Sequence, residues 1–228
     1  MTSFFRHKVY YSHVLVAGMR QFEYAKRLGF ENNKVLWPLY SADNRLFNQI
    51  PLNKKRFDFP RDILFVGRFA EVKGIETLLK AWGLLLDKKA ATLTLVGNGP
   101  LKDKLAFPAD VRVLDFTTQE ELAQLAYKST CFVLPSVFEP WALVLHEFAA
   151  AGLPMIATSA CGATTQFLIN NYNGFVIEPN DVNGLASALQ KILQMDAEIL
   201  YTFSKRSREL SQAISPDLVA NAILSVIK

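Results

Sequence analysis

The chain has 228 residues, half of them hydrophobic and a fifth charged, enough for one large domain, or one domain plus an appendage, with a sizeable core, and too apolar for a disordered chain. A formal net charge of +4 suits a polyanionic ligand or an acidic membrane surface, but no face carries the long Lys/Arg run of a nucleic-acid binder. Two cysteines without metal-ligand spacing fit a reduced, cytoplasmic setting; no apolar run reaches the length of a membrane span, and residues 1–16 lack the apolar core and cleavage site of a signal peptide.

Residues 1–60 carry the weakest pattern. Residues 13–17 read as a short strand, 19–28 as a helix stopped by Gly29, and 34–38 as a second short strand. Residues 41–44 form a turn cluster. Lys54, Lys55 and Arg56 read as a solvated linker ahead of Pro60.

From residue 62 the pattern is regular. Strands at 63–66, 92–96, 111–114, 131–134, 155–157 and 175–177 alternate with helices at 75–86, 119–127, 142–151 and 182–193. Shorter helical stretches are predicted at 101–107 and 164–168, and two terminal helices at 197–211 and 216–227, with Pro216 suited to a first turn. Apolar strands separated by helices imply a parallel sheet covered on both faces, hence a doubly wound α/β fold whose strand order the sequence does not reveal.

Three strand ends could carry chemistry. After the strand at 131–134 comes a polar loop with Glu139, then a helix containing Glu147 and closed by Gly152 and Pro154. Such a helix start offers free N–H groups and a positive dipole end to a phosphate. Spacing leaves two readings open: Glu139 and Glu147 as ligands of sugar hydroxyls, or Glu139 as a helix cap and Glu147 as a solvated residue. A glycosidase pair is disfavoured, because nothing supplies the cleft it needs.

The stretch from Gly67 to Gly74 places Arg68 and Lys73 in a strand-end loop, suited to a diphosphate or else to pairing with Glu71 or Glu76. Gly97-Asn98-Gly99-Pro100 lacks the third glycine of a dinucleotide fingerprint and reads as a site of close ligand approach or as an ordinary turn. His7, His13 and His146 are scattered, with no second metal ligand at useful spacing.

Taken together, four blocks in order resemble the C-terminal half of a GT-B glycosyltransferase of glycosyltransferase family 4. They are VGRFAEVKG (66–74), LVGNGPL (95–101), VLPSVFEPWALVLHEFAAAGLP (133–154), and Gly162 with NYNGFVIEPND (171–181). The resemblance spans about residues 63–193. It implies retaining transfer of a sugar from a nucleotide-diphosphate-sugar donor, in polysaccharide or glycan biosynthesis. By the family pattern, Arg68 and Lys73 bind the donor diphosphate, Glu139 the sugar hydroxyls and Glu147 the ribose; Arg68, Lys73 and Glu139 form the expected catalytic set. The amides of Trp141, Ala142, Leu143 and Val144 would face the distal phosphate, the base would lie near Phe116, and Asn98 joins the expected nucleotide-sugar contacts. No metal or other cofactor is implied.

Two departures stand out. Pro140-Trp141-Ala142 occupies a stretch that is glycine-rich in the family, and Gln166 stands where the family often has a glutamate. The expected organisation is 1–58 as the remnant of an N-terminal acceptor domain with its linker, 59–195 as the nucleotide-sugar domain, and 196–228 as helices packing back toward the N-terminal part. Expected partners are the sugar-nucleotide donor, a glycan or lipid-linked acceptor, a partner chain or N-terminal domain that supplies the acceptor site, and a peripheral contact with the inner face of the membrane, but no nucleic acid. The alternative is a nucleotide-sugar-binding module without turnover of its own.

Overall fold

The computed structural model describes residues 10–49, 51–55 and 59–227; His7 and Arg56 lie outside the described residues. A small unit comes first. Strands β1 (Val14–Leu15) and β2 (Val35–Leu36) pair in parallel across helix α1 (Met19–Arg27). Val16, Ala25 and Phe30 form its own minor core. The turn cluster at 41–44 is the start of a helix, α2 (Asn44–Asn48), because the Asp43 carboxylate accepts from the N–H groups of Arg45 and Leu46.

The main body is one parallel sheet of six strands: β3 (Asp62–Val66), β4 (Thr92–Val96), β5 (Val111–Leu114), β6 (Ser129–Leu134), β7 (Met155–Thr158) and β8 (Gly174–Ile177). Their spatial order is β5-β4-β3-β6-β7-β8. The chain steps outward from β3 through β4 to β5, returns to lay β6 on the other side of β3, then steps outward again. Right-handed crossovers in opposite directions put α3 (Ile75–Gly83) and α5 (Leu143–Ala150) on opposite faces. This is the doubly wound fold expected from the alternation. Apolar β6 is buried along its whole length, as a strand covered on both faces must be.

Helix α4 (Gln119–Tyr127) starts with a capping box between Thr118 and Glu121. The remaining helices are α6 (Thr164–Phe167), α7 (Val182–Gln194), α8 (Ala197–Ser211) and α9 (Pro216–Leu224). Helix α7 packs beside α3, whereas α2, α4 and α8 share the other side with α5.

Three expectations need correction. Residues 101–104 form turns and no helix spans 101–107; Pro100 and Pro108 bracket the segment, and Phe107 instead reaches the buried Phe69 ring at 6.4 Å. Helix α3 ends at Gly83, leaving Leu86 fully exposed. Lys55 is not part of a solvated linker. It is 3% exposed, and its Nζ donates to the carbonyls of Ala126 (2.8 Å) and Ser129 (2.9 Å), satisfying the end of α4 and the start of β6. Burial, with the Arg208 guanidinium adding to it, lowers its ammonium pKa to about 7.

His146 ties three segments together at the back of α5. Its Nδ1 accepts from the Ala42 N–H at 3.1 Å, which leaves Nε2 to donate to the Ser211 carbonyl at 2.9 Å. Its ring stacks on Phe167 at 4.2 Å. A protonated ring would turn Nδ1 into a donor facing a donor. Burial accordingly depresses its pKa to about 4, against the opposing bond to Ser211.

The neutral form is favoured only in the folded state, so this contribution is complete above the unfolded pKa of 6.5 and is lost as pH falls toward 4. We expect urea midpoints to show wild type losing up to about 3 kcal/mol between pH 7 and pH 4 relative to His146→Gln. A stability difference independent of pH would contradict the neutral, doubly bonded ring. Lys55 does not confuse the test, since its folded value near 7 places its pH dependence above that window.

Candidate functional site

In an open parallel sheet, ligands bind beyond the carboxyl ends of the strands where the winding reverses. Here that point lies between β3 and β6. The loops leaving these two strands touch. Gly74 adopts φ +67°, and a Cβ on it would lie 2.0 Å from the Pro135 carbonyl oxygen, so only a glycine allows the two backbones this close. The Val137 N–H donates to the Val72 carbonyl at 2.8 Å and secures the contact.

The contact brings Lys73 from the first loop to Glu139 from the second. Lys73 Nζ donates to Glu139 Oε2 in an ion pair, with both side chains largely shielded from solvent. Lys73 therefore pairs with neither Glu71 nor Glu76. Arg68 is exposed in the same loop and has no ion-pair partner among the described residues.

The Gly97-Asn98-Gly99 turn supports this arrangement. Cβ atoms at Gly97 and Gly99 would lie 2.0 Å from the Gly67 carbonyl oxygen and 2.5 Å from that of Phe69. What approaches these glycines is the chain's own β3 loop. The Phe69 N–H donates to the Asn98 carbonyl at 2.9 Å, while the Asn98 side chain donates to Asp115 at 2.9 Å and accepts from the Gly99 N–H. Asn98 thus braces the loop that carries Arg68 and Lys73.

Helix α5 opens beside Glu139 without any side-chain cap, so Glu139 does not cap it. The first N–H groups of the helix, at Leu143 and Val144, have no acceptor among the described residues. Its N-cap, Ala142, sits at φ +80°, ψ +76°, a left-handed conformation suited to glycine. The backbone shape of a glycine-rich turn is thus present without the glycine. Trp141 is buried, its ring edge-on to Phe167 at 6.1 Å and pressed against Gly18, while its carbonyl accepts from the Ala163 N–H at 2.7 Å.

Glu147 is 9% exposed and no solvated face residue. Burial raises its carboxyl pKa, and the Gln119 amide alongside works against that rise. Phe116 stands at the β5 end of the same sheet edge. It is 68% exposed and rims a cavity of about 400 Å³ lined also by Leu114, Gln124, Leu125 and Lys128. Lys73 and Glu139 therefore meet in the loop that leads into α5, Asn98 braces the loop that carries Lys73, and Glu147 lies alongside Gln119 on the helix that follows Phe116. Among the described residues no group of three or more His, Cys, Asp and Glu side chains could hold a metal ion, and no helix is long and apolar enough to cross a membrane.

The sequence places a helix at 19–28, observed as α1, but gives it no part in the site. Arg20 and Gln21 reach from α1 to the loops beside Glu139, and only the plain strand–Gly–helix pattern at 14–27 marks that helix in the sequence.

A doubly wound sheet with this switch-point groove is the C-terminal half of the GT-B architecture. The model of the family described as "Glycosyl transferases group 1" matches residues 60–195, more than half of the chain, and the chain belongs to that family. It is 32% identical over 166 residues to the glycogen synthase of Mycobacterium tuberculosis, covering 69% of this chain and 39% of that protein. To an uncharacterised glycosyltransferase of Methanocaldococcus jannaschii it is 29% identical over 178 residues, 75% of this chain and 45% of the relative. The chain thus spans less than half the length of these two relatives. Among solved structures, it superposes on sucrose-phosphate synthase from Thermosynechococcus elongatus with a TM-score of 0.77 at 27% identity, covering 93% of this chain and 57% of that one. Anabaena HepE in complex with UDP gives a TM-score of 0.78 at 18% identity, with 94% and 63% coverage.

The strain at Ala142 and the contact at Gly74 are both measurable by chemical denaturation. Ala142→Gly should leave stability unchanged or raise it by about 0.5–1 kcal/mol, since relief of a left-handed alanine outweighs the added chain entropy; a clear loss would contradict the cap geometry. Gly74→Ala should cost about 2 kcal/mol or more, because it adds both backbone strain and overlap with Pro135.

Proposed function

We propose that this chain is the donor-binding half of a retaining glycosyltransferase, which moves a sugar from a nucleotide-diphosphate-sugar to a glycan or lipid-linked acceptor in polysaccharide or glycan assembly. The observation that carries this reading is the meeting of the Lys73 cation and the Glu139 carboxylate at the uncapped start of α5. In the reaction the bond from the anomeric carbon to the diphosphate oxygen breaks, and negative charge collects on the leaving diphosphate. In this reading Lys73, Arg68 and the α5 N–H groups at Leu143 and Val144 neutralise it, which is usually the largest contribution to catalysis at such a site. Glu139 accepts hydrogen bonds from the sugar hydroxyls. Glu147 accepts from the ribose, and the base lies along the groove against Phe116. Retention follows from the family pattern.

Support comes from what related proteins hold. Structures of Anabaena HepE carry UDP, glucose or UDP-glucose, and one of the pneumococcal O-GlcNAc transferase GtfA carries UDP and GlcNAc. The glycogen synthase relative favours a polysaccharide product. In this reading residues 1–58 belong to the acceptor side and residues 196–228 pack back on it, consistent with Asn44 Nδ2 donating to the Ile214 carbonyl at 2.9 Å. The acceptor site is then completed by an N-terminal domain or a partner chain, at a membrane surface if the acceptor is lipid-linked. A second reading, a sugar-nucleotide-binding module without turnover, makes a different prediction. Binding of a donor with no product from any acceptor would decide for it.

The ion pair gives the donor-site reading a distinctive signature. A bound diphosphate must take Lys73 from Glu139, so Glu139 is a competitor of the bare diphosphate and a partner of the sugar. Titration calorimetry with UDP, GDP and ADP and their hexose conjugates should find one base that binds. Glu139→Gln should then hold or tighten the bare diphosphate while abolishing the extra affinity of the sugar-bearing form. Lys73→Ala should weaken both by about tenfold or more and leave the free nucleoside unchanged. Equal losses for nucleoside and diphosphate would overturn the assignment.

A further inference from the structure

Glu139 has to hold its carboxylate at one place beside the diphosphate, yet it lies in a loop. Its carbonyl accepts from the Gly162 N–H at 3.0 Å, so the loop after β7 supports one side. That second loop is itself held from outside the sheet. Arg20, on the first turn of α1, donates from Nη1 to the Ala160 carbonyl at 2.9 Å and from Nη2 to the Ser159 carbonyl. Its neighbour Gln21 donates from Nε2 to the Pro140 carbonyl at 2.5 Å, one residue beyond Glu139. The helix can approach this closely because residue 18 is glycine: a Cβ there would lie 2.2 Å from the Trp141 ring.

Three carbonyls flanking Glu139 in space are therefore satisfied by two adjacent side chains of α1, with Trp141 as the packing surface between them. We propose that Arg20 and Gln21 are positioning residues for the donor sugar, acting through the backbone of the Glu139 loop. The proposal rests on the donor-site reading and goes beyond it, since neither residue belongs to the four blocks that define that site. Removing Arg20 leaves the Ser159 and Ala160 carbonyls without their side-chain donor and frees the loop that supports Glu139. The loop that carries Lys73 takes part in none of these bonds. Loss of the clamp should thus appear in sugar recognition and spare the bare diphosphate. It also makes the small unit before the sheet part of donor selection, so that movement of α1 would change how the hexose is held.

The test compares each bare nucleoside diphosphate with its hexose conjugate by titration calorimetry: UDP with UDP-glucose, GDP with GDP-mannose and ADP with ADP-glucose. For the base that binds wild type, Arg20→Ala should cut the sugar-dependent gain in affinity by about tenfold while the bare diphosphate stays within about twofold. Arg20→Lys, which can reach only one carbonyl at a time, should recover part of the gain. Gln21→Ala, which leaves the Arg20 fork in place, should reduce the gain less, and thermal melts show that each variant is folded. A sugar gain unchanged in both Arg20→Ala and Gln21→Ala, or a parallel loss of bare and sugar-bearing forms, overturns the inference alone. Failure of wild type to bind any of the six ligands overturns the donor-site reading and this inference with it.

Discussion

The site depends on one close approach, the packing of the Gly74 backbone against the Pro135 carbonyl. Two adjacent parallel strands whose connections leave in opposite directions open a crevice between them, but the crevice does not by itself bring a cation to a carboxylate. That requires the loops to meet within the reach of a lysine side chain. A side chain at position 74 would hold them apart. With a glycine there, Lys73 reaches Glu139, in the loop that leads into the uncapped start of α5.

The rest of the molecule holds this contact in place from several directions. Gly97 and Gly99 let the turn after β4 lie under the Arg68–Lys73 loop. His146 joins the back of α5 to Ala42 and to the end of α8, so the helix that presents its start to the groove is fixed at its far side. Lys55 closes the junction of α4 and β6. At His146 and Lys55 a polar group is taken out of water and hydrogen-bonded to backbone, a condition that fixes geometry more strictly than apolar packing does. The strained backbone conformation at Ala142 lies at the mouth of α5, where the leaving phosphate is proposed to bind.

The strands from β3 to β8 were legible because each is a short apolar run ended by Gly, Pro or Ser, and the family blocks fall at their carboxyl ends. Local spacing could not show which way Lys73 would turn, since its partner lies 66 residues away and Glu71 and Glu76 compete in sequence alone. It read Lys55 as solvated because a basic triplet is usually exposed; two carbonyls of a distant helix end and strand start decide otherwise. Glycines at 97 and 99 read as close ligand approach or as an ordinary turn, and what approaches them is the neighbouring loop. Asp43 reads as a turn residue in the sequence, although its carboxylate starts a helix. Arg20 and Gln21 carried no motif, because what they recognise is backbone, and backbone has no signature in the sequence of its partner.

The most direct measurement is amide chemical-shift mapping during titration with the nucleoside diphosphate that binds. The account predicts the largest shifts at Leu143 and Val144 and in the loop from Gly67 to Gly74, with the groove toward Phe116 responding next. Shifts centred instead on the separate cavity of about 390 Å³ lined by Leu46, Pro51, Ala123 and Tyr127, with Leu143 and Val144 silent, would contradict it.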